Sequence, residues 1–482
     1  MPRQPKHQTT RAPSVLLVSG TYPPSGGEAD VTVRDTAVNL VQRGWRVTVL
    51  TGSRAAGGQY LAGGVRVVRI ASPFHVDLSR CTFPAEPLLV RVLLRLALSI
   101  YFYPALVIKA LLLGPVDVVV TRSSPPFLLA IGSILGVLLD ARTVHWVDAL
   151  KPALRRPVAA LGHGFSTMLL RRQDRIVAVG RCMEERLRER LGERTGNPLG
   201  GRPGNHAEER HAKEDHAGEH SSELSSAAQI YVVPHWPARA LRPVEHRHNT
   251  LRAKRELQGT FTVMYAGPLR DAREVDPLLH AAGEINGAYP DVRFVLTGDG
   301  AGRERIAARI EEEGLENVLF LPASLDEGAV RASRGRSERL SAGDLHVVTM
   351  EKDTCGLAVP AALYGAMAVR RPCLFVGPED SESALFLSEH GAGEAVTDAD
   401  GLALRILDWY RNDVRRRIAG DRGYRAVRML RANGLIEFEG MLRGLLPAPG
   451  FGAAGRSQVE KPSPVRAAGR SRLAGGMRVL QQ

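Results

Sequence analysis

The stretch from Pro13 to Gly52 constrains the fold more tightly than any other part of the chain. "PSVLLVSG" (13–20) is an apolar run of strand length. It passes into a Gly/Pro loop, "TYPPSGGEAD", and then into a helical pattern, "VTVRDTAVNLVQRG", that stops at Gly44. "WRVTVLTG" is a second strand run. Strand, glycine-rich loop, helix and strand in that order make a βαβ unit, which implies a parallel sheet. "VDVVVTRS" (116–123), "ARTVHWVDA" (141–149) and "DRIVAVG" (174–180) continue the alternation.

The pattern restarts near residue 260. "TFTVMYAG", "VRFVLTGDG", "NVLFLPA", "DLHVVTM" and "RPCLFVG" read as short buried strands, with helical stretches such as "RERIAARIEEEG" between them. A last amphipathic region follows from residue 402. With 482 residues the chain is too long for one typical core, and its 44% apolar content supplies enough for more than one. The expected fold class is α/β, with two Rossmann-like doubly wound domains facing a cleft. Ligands of such sheets sit at the carboxyl ends of the strands.

Residues 195–228 break the pattern. They hold almost no apolar side chain, so burial cannot offset the entropy of ordering them, and a disordered insertion is expected. His206, His211, His216 and His220 lie within it. Such a tract is a compositional cue for metal binding, but a solvated polar loop is the preferred reading.

Charge narrows the partners. Lys and Arg number 64 against 51 Asp and Glu, a net charge of +13. Nucleic acid, an anionic membrane and an anionic small ligand all answer to such an excess. Aromatic residues are only 5%, and no RNP-like or zinc-finger pattern is present, so nucleic acid is not expected. Part of the excess lies in the Gly-, Ala-, Ser- and Arg-rich tail from 451, which reads as disordered. The four cysteines, Cys81, Cys182, Cys355 and Cys373, are far apart and without metal-like spacing. They suggest reduced or buried thiols in a cytoplasmic protein. Residues 1–13 are polar and basic, so no secretory leader is expected.

Two apolar regions call for a membrane check. In "EPLLVRVLLRLALSIYFYPALVIKALLLG", Arg91, Arg95 and Lys109 interrupt the run, and the uncharged pieces fall short of the roughly 18–20 residues a span needs. "SSPPFLLAIGSILGVLL" is also short and carries two prolines. Neither reads as a transmembrane helix. The first permits two readings, an interfacial helix on an anionic membrane or an ordinary core helix pair.

Several loops follow strand ends. Gly26 and Gly27 sit where the first strand hands over to the first helix, a place where anions meet backbone N–H groups. Tight-turn glycines would look the same. Arg270 and Arg273, in "YAGPLRDAREVDPLL", follow a strand end where two guanidiniums suit a diphosphate. "TGDGAGRER" offers Gly298 and Asp299 in another strand-to-helix loop, but its GxGxG spacing is not that of an NAD site. In "GLAVPAALYGAMA", the helix from Pro360 to Ala368 carries no charged residue.

Taken together, "TYPPSGG", "LVQRGWRVTVLTG", "VMYAGPL", "FVLTGDGAGRERI", "LSAGDLHVVTM", "GLAVP..LYGAMA..RP" and "FVGPEDSE" resemble the family 4 glycosyltransferases. The nearest branch builds exopolysaccharides of the colanic-acid type. The resemblance covers roughly residues 13–190 and 230–440. It implies a GT-B architecture: an acceptor domain over 13–240, a nucleotide-sugar domain over 258–405, and final helices over 406–445 crossing back. It also implies sugar transfer from a nucleotide diphosphate donor to a lipid-linked or glycan acceptor, with retention at the anomeric carbon. Neither metal nor cofactor is expected, since basic side chains and helix N-termini stabilise the leaving diphosphate.

By the same resemblance, Arg273 matches the phosphate-binding basic residue, with Arg270 beside it. Pro268 replaces the arginine that often follows the glycine of this motif. Gly356 and Leu357 match backbone positions near the donor phosphates. Leu321 and Pro322 fall near the base, and Gly26 and Gly27 near the phosphates and acceptor. Gly298, Asp299 and Glu382 join the donor-binding set. Asp353 falls where the family often has the first glutamate of an acidic pair. The second glutamate is missing: the matching position is Ala361 or Gly365, according to the alignment chosen. Asp148 stands near the usual acceptor-side His-Asp, with His145 as the neighbouring candidate. Asp148 and Asp353 are the expected catalytic residues, and a strand-end structural role for Asp148 or His145 is an equal alternative. The charge-free helix from Pro360 and Asp148-Ala149 in place of His-Asp motivate a second reading, a GT-B scaffold of weakened catalysis that binds or assembles partners. A cytoplasmic site, with or without peripheral contact at the inner membrane face, suits both.

Overall fold

The computed structural model describes residues 11–22, 28–53, 58–71, 101–125, 127–150, 157–192, 229–269, 272–321, 329–397 and 401–447. The 195–228 insertion and the 451–482 tail lie outside the described residues, as do Cys81, Gly26, Gly27, Arg270 and Pro322.

The first half builds an eight-stranded sheet ordered β3-β4-β2-β1-β5-β6-β7-β8. Its strands are β1 (Ser14–Ser19), β2 (Arg46–Ser53), β3 (Gly58–Ala62), β4 (Val65–Ala71), β5 (Val118–Arg122), β6 (Arg142–Val147), β7 (Arg175–Ala178) and β8 (Gln229–Val232). Only β3 is antiparallel to its neighbour. Every residue of β1 and β5 is buried, as continuous apolar runs require when both faces of a parallel sheet are covered. The covering helices are α1 (Glu28–Gln42), α2 (101–112), α3 (Leu128–Leu139), α4 (Pro157–Arg171) and α5 (Arg181–Leu191).

The second half builds a six-stranded sheet ordered β11-β10-β9-β12-β13-β14. These are β9 (Phe261–Ala266), β10 (Val292–Thr297), β11 (Val318–Leu321), β12 (Leu345–Thr349), β13 (Cys373–Val376) and β14 (Gly393–Val396). All pair in parallel. The order runs outward from β9 in one direction and from β12 in the other, which is the doubly wound pattern. The helices are α6 (Thr250–Lys254), α7 (Asp276–Ile285), α8 (Arg303–Glu312), α9 (Ala329–Ser341), α10 (Ala361–Ala368), α11 (Glu382–His390), α12 (Leu402–Arg411) and α13 (Asp413–Arg443).

The uncharged α10 has a packing explanation. Leu363 to Ala368 are all buried, pressed between the sheet and α13. A helix enclosed on all sides is apolar all round. The last helical region is two helices, because Asn412 stops α12 and its side chain accepts from the Arg415 N–H at 2.9 Å to start α13. Toward its end α13 reaches the first sheet. Phe438 lies 4.9 Å from the Trp146 ring, Arg431 pairs with Asp35 at 3.0 Å, and Glu439 pairs with Arg43 at 3.0 Å.

Candidate functional site

The carboxyl ends of the two sheets meet. β6 ends at Val147 and continues through Asp148, Ala149 and Leu150. β12 ends at Thr349 and leads into a tight turn over Lys352–Thr354, then Gly356 and Leu357. The Leu150 N–H donates to the Leu357 carbonyl at 2.7 Å, and Ala149 bridges Ala358. Beside this seam lies a small cleft, lined among others by Cys182, Met350, Gly356, Ser381, Glu382 and Ser383.

Gly356 lies close against the start of α5. Its φ of 71° lies in the left-handed region. A Cβ there would stand 2.8 Å from the Cys182 carbonyl oxygen and 2.9 Å from Arg186 Nε. Only glycine meets both demands, and the backbone is thereby held at the start of α5.

Glu382 crosses the cleft. Its carboxylate accepts from the Arg181 N–H at 2.8 Å, at the first residue of α5. The residue before, Gly180, has no side chain to cap the helix, and a Cβ there would stand 3.0 Å from Glu382 Cγ. Glu382 therefore supplies the acceptor that this helix N-terminus lacks. Burial raises its pKa, against the lowering effect of the Arg181 N–H. The neighbouring Cys182 thiol is pushed up to about 12, by burial first and by Glu382 next, and stays protonated.

Other candidates stand at neighbouring strand ends. Gly298, buried after β10, leaves no room for a Cβ against the Gly267 carbonyl. Asp299 is exposed, and its carbonyl accepts from the Leu269 N–H at 3.1 Å. The Gly298 and Leu321 carbonyls are joined by Arg303, whose NH1 donates to them at 2.9 and 3.1 Å. Its guanidinium also lies 4.1 Å from the Phe320 ring centroid. Arg339 on α9 faces Asp299: burial lowers its pKa, Arg336 lowers it further, and Asp299 opposes both. Arg273 is exposed in the turn Ala272–Glu274 that precedes α7. Asp353 is exposed in the turn after β12.

On the side of the first sheet, Asp148 forms a two-point ion pair with Arg122. Arg122 Nε donates to Oδ2 at 2.9 Å, and NH2 meets Oδ1 at 2.8 Å. Both side chains are largely buried. His145 is buried in the sheet and shares a 2.8 Å hydrogen bond with Thr121 Oγ1. Burial pushes its pKa down to about 4, with Asp148 opposing, which holds the ring neutral. His235 is also buried near this pair and held neutral. A small cavity alongside is lined by Ser19, Val33, Thr36, Arg122 and Trp146, among others. Among the described residues, Ser19 Oγ and Trp146 Nε1 have no hydrogen-bond partner.

The structure thus brings Gly356, Leu357 and Glu382 together on one seam, with Asp148 adjoining it. It links Gly298 and Leu321 through Arg303, and sets Arg273 and Asp353 on exposed turns. Arg122, Arg303 and Arg339 escaped the reading of the sequence. Arg122 had a visible signal, a charge ending the apolar run "VDVVVTRS".

Residues 27–197 match the family model described as a glycosyl transferase 4-like domain. No curated protein matches the chain. Among solved structures, the chain is similar to sucrose-phosphate synthase from Thermosynechococcus elongatus, with a TM-score of 0.61 and 17% identity over 90% of this chain and 99% of that one. HepE of Anabaena in complex with UDP and glucose matches with a TM-score of 0.59 and 15% identity, over 89% and 99% of the two chains. An E. coli trehalose-6-phosphate structure bound with UDP-2-fluoro glucose matches with a TM-score of 0.58 and 13% identity, over 90% and 100%. These likenesses establish the GT-B fold.

Proposed function

We propose that this GT-B chain, with its glycosyl transferase 4-like segment, moves a hexose-type sugar from a UDP- or GDP-sugar to a lipid-linked or glycan acceptor, with retention, in making cell-surface polysaccharide or glycoconjugate. The observation that carries the reading is the seam at Gly356. There the carboxyl ends of two doubly wound sheets approach across backbone that only glycine can supply, at the place where such sheets bind ligands. The UDP and UDP-sugar held by similar structures support the donor class.

In this reading Arg273, with Arg270, stabilises the departing diphosphate, and the Gly356–Leu357 backbone approaches its phosphates. Asp353, exposed in the turn beside Gly356, orients the donor sugar. The acceptor hydroxyl attacks from the leaving-group face and passes its proton to a phosphate oxygen. Asp148 acts at the acceptor side through its place beside the seam. The charge that develops is met by guanidiniums and backbone N–H groups, and the scheme calls for no metal. The test is turnover of the purified chain with a panel of nucleotide sugars. Arg273→Ala should lower turnover by about a hundredfold. Unchanged turnover would remove Arg273 from the phosphate site.

Glu382 favours a second reading. Its carboxylate already fills the N-terminus of α5, a natural seat for a phosphate. A scaffold that binds partners without turnover would keep such a closed seam. Failure to bind any nucleoside diphosphate in calorimetry would favour it.

A further inference from the structure

The cysteines are scattered along the sequence, yet two of them meet at the seam. Cys182 is the second residue of α5, in the first half of the chain, and Cys355 closes the turn that follows β12, in the second. The two thiols are hydrogen-bonding neighbours, and both are free and half-buried. Their backbones are close as well. A Cβ on Gly356, next to Cys355, would stand 2.8 Å from the Cys182 carbonyl oxygen. A disulfide needs neighbouring backbones, and these are in contact. Cys373 differs, because it lies in β13 with no exposed surface and no reagent reaches it.

The pair stands between two noncovalent ties of the same seam. On one side the Leu150 N–H donates to the carbonyl of Leu357, two positions from Cys355. On the other the N–H of Arg181, next to Cys182, donates to Glu382. Cys182 is itself held in place. Its Sγ donates to the Asp380 carbonyl at 3.5 Å and accepts from the Glu382 N–H. A covalent bond here would join the two halves where they already touch.

The surroundings give the two thiols different parts. Burial and Asp380 raise the Cys355 thiol, and the Arg186 guanidinium and the Cys182 side chain oppose them. Burial, Glu382 and Cys355 together keep Cys182 protonated. Cys355 is therefore the thiol that ionises and attacks, and Cys182 the one that resolves. With both thiols above their ordinary value the exchange is slow, so the pair answers a lasting change of redox poise rather than a brief one.

We propose that Cys182 and Cys355 are a redox-sensitive pair, which a soluble low-mass disulfide of the glutathione class converts to a disulfide that clamps the seam shut. The Cys355 thiolate attacks one sulfur of the small disulfide and expels the other as a thiolate. Cys182 then gives up its proton, attacks Cys355 Sγ in the mixed disulfide and expels the second thiolate. The protons released by the two cysteines neutralise the two leaving thiolates. The cysteines are oxidised by two electrons, and the small disulfide is reduced to two thiols. A transient, reversible bond of this kind suits a reducing compartment. The effect on nucleotide rests on the function proposed above, since a donor would enter between sheet ends that the bond keeps together. The bond and the clamp do not rest on it.

The test equilibrates the reduced full chain with mixtures of reduced and oxidised glutathione, blocks free thiols with N-ethylmaleimide and maps the peptides by mass spectrometry. A linked peptide joining Cys182 to Cys355 should accumulate as the oxidised share rises and vanish with dithiothreitol. Cys355→Ser should abolish it, and Cys81→Ser should leave it intact. In the linked chain, amide hydrogen exchange at Leu150 should slow by about tenfold or more, because the seam no longer opens locally. Cys355→Ser should exchange at one rate at every glutathione ratio. The linked chain should also bind UDP or GDP more weakly than the reduced chain, by about tenfold or more, as its open form is withdrawn. No linked peptide, a link to Cys81 in its place, or exchange at Leu150 unchanged by the link overturns the proposal. Equal nucleotide binding in the two states overturns it too. If neither state binds nucleotide, the function proposed above fails, and exchange at Leu150 alone decides the clamp.

Discussion

The carboxylate of Glu382 accepts a 2.8 Å hydrogen bond from the backbone N–H of Arg181, 201 residues away. One side chain from the second sheet thus completes the N-terminus of a helix of the first. Because burial raises its pKa, folding favours the protonated form. The sign follows: its contribution is greatest below the ordinary carboxylate range and declines as pH rises through the raised value. Glu382→Gln keeps an acceptor oxygen and loses the charge. At neutral pH it should match or slightly exceed the parent in urea unfolding, and the difference should shrink in acid. Glu382→Ala loses the cap and should cost about 1 kcal/mol. A glutamine variant less stable than the alanine one would contradict this assignment.

Gly356→Ala should be costly out of proportion to its size. The left-handed φ alone penalises an L-residue by about 1–2 kcal/mol. The added Cβ also meets the Cys182 carbonyl oxygen and Arg186. The variant should unfold earlier in denaturant and bind nucleotide more weakly. Alanine at the parent's stability would mean that the seam is looser than its geometry.

Much of the fold was legible because parallel strands buried on both faces must be apolar runs, and "SVLLVS", "VVVTR" and "FTVMYA" are such runs. The absence of charge in α10 was plain in the sequence, but its cause, burial under α13, was not. The site was less legible, because its contacts join residues remote in sequence. Nothing in "FVGPEDSE" says that Glu382 reaches Arg181, and nothing in "TGDGAGRER" says that Arg303 ties Gly298 to Leu321. Such pairings depend on how helices and strand ends pack in three dimensions, which local pattern does not encode.

Buried histidines make the fold acid-sensitive: His145, His235 and His346 are all held below their ordinary value. Burial pushes both His145 and His346 down to about 4, from an ordinary value of 6.5. The unfolded chain takes up their protons first, so stability is full above 6.5 and is lost as pH falls toward 4. Each adds a slope of about 1.4 kcal/mol per pH unit within that window. His145→Asn should remove one such increment from the pH dependence of urea unfolding, whatever it costs at neutral pH. An unchanged slope would show that His145 takes up no proton on unfolding.

The Arg122–Asp148 pair separates structure from catalysis. Removing one partner from a largely buried ion pair costs about 3–5 kcal/mol. Arg122→Ala and Asp148→Ala should each approach that loss, and the double variant should lose less than their sum. If Asp148 also acts on the acceptor, Asp148→Asn should lower turnover beyond what its fold loss explains. Full turnover in Asp148→Asn would leave it a purely structural role.

The most direct test is calorimetric titration of the full chain with UDP and with GDP. The account predicts that one of them binds at one site per chain, and that Arg273→Ala weakens it by about tenfold or more, the worth of one charge-assisted hydrogen bond. Binding of neither nucleotide, or equal binding by the parent and Arg273→Ala, would contradict it.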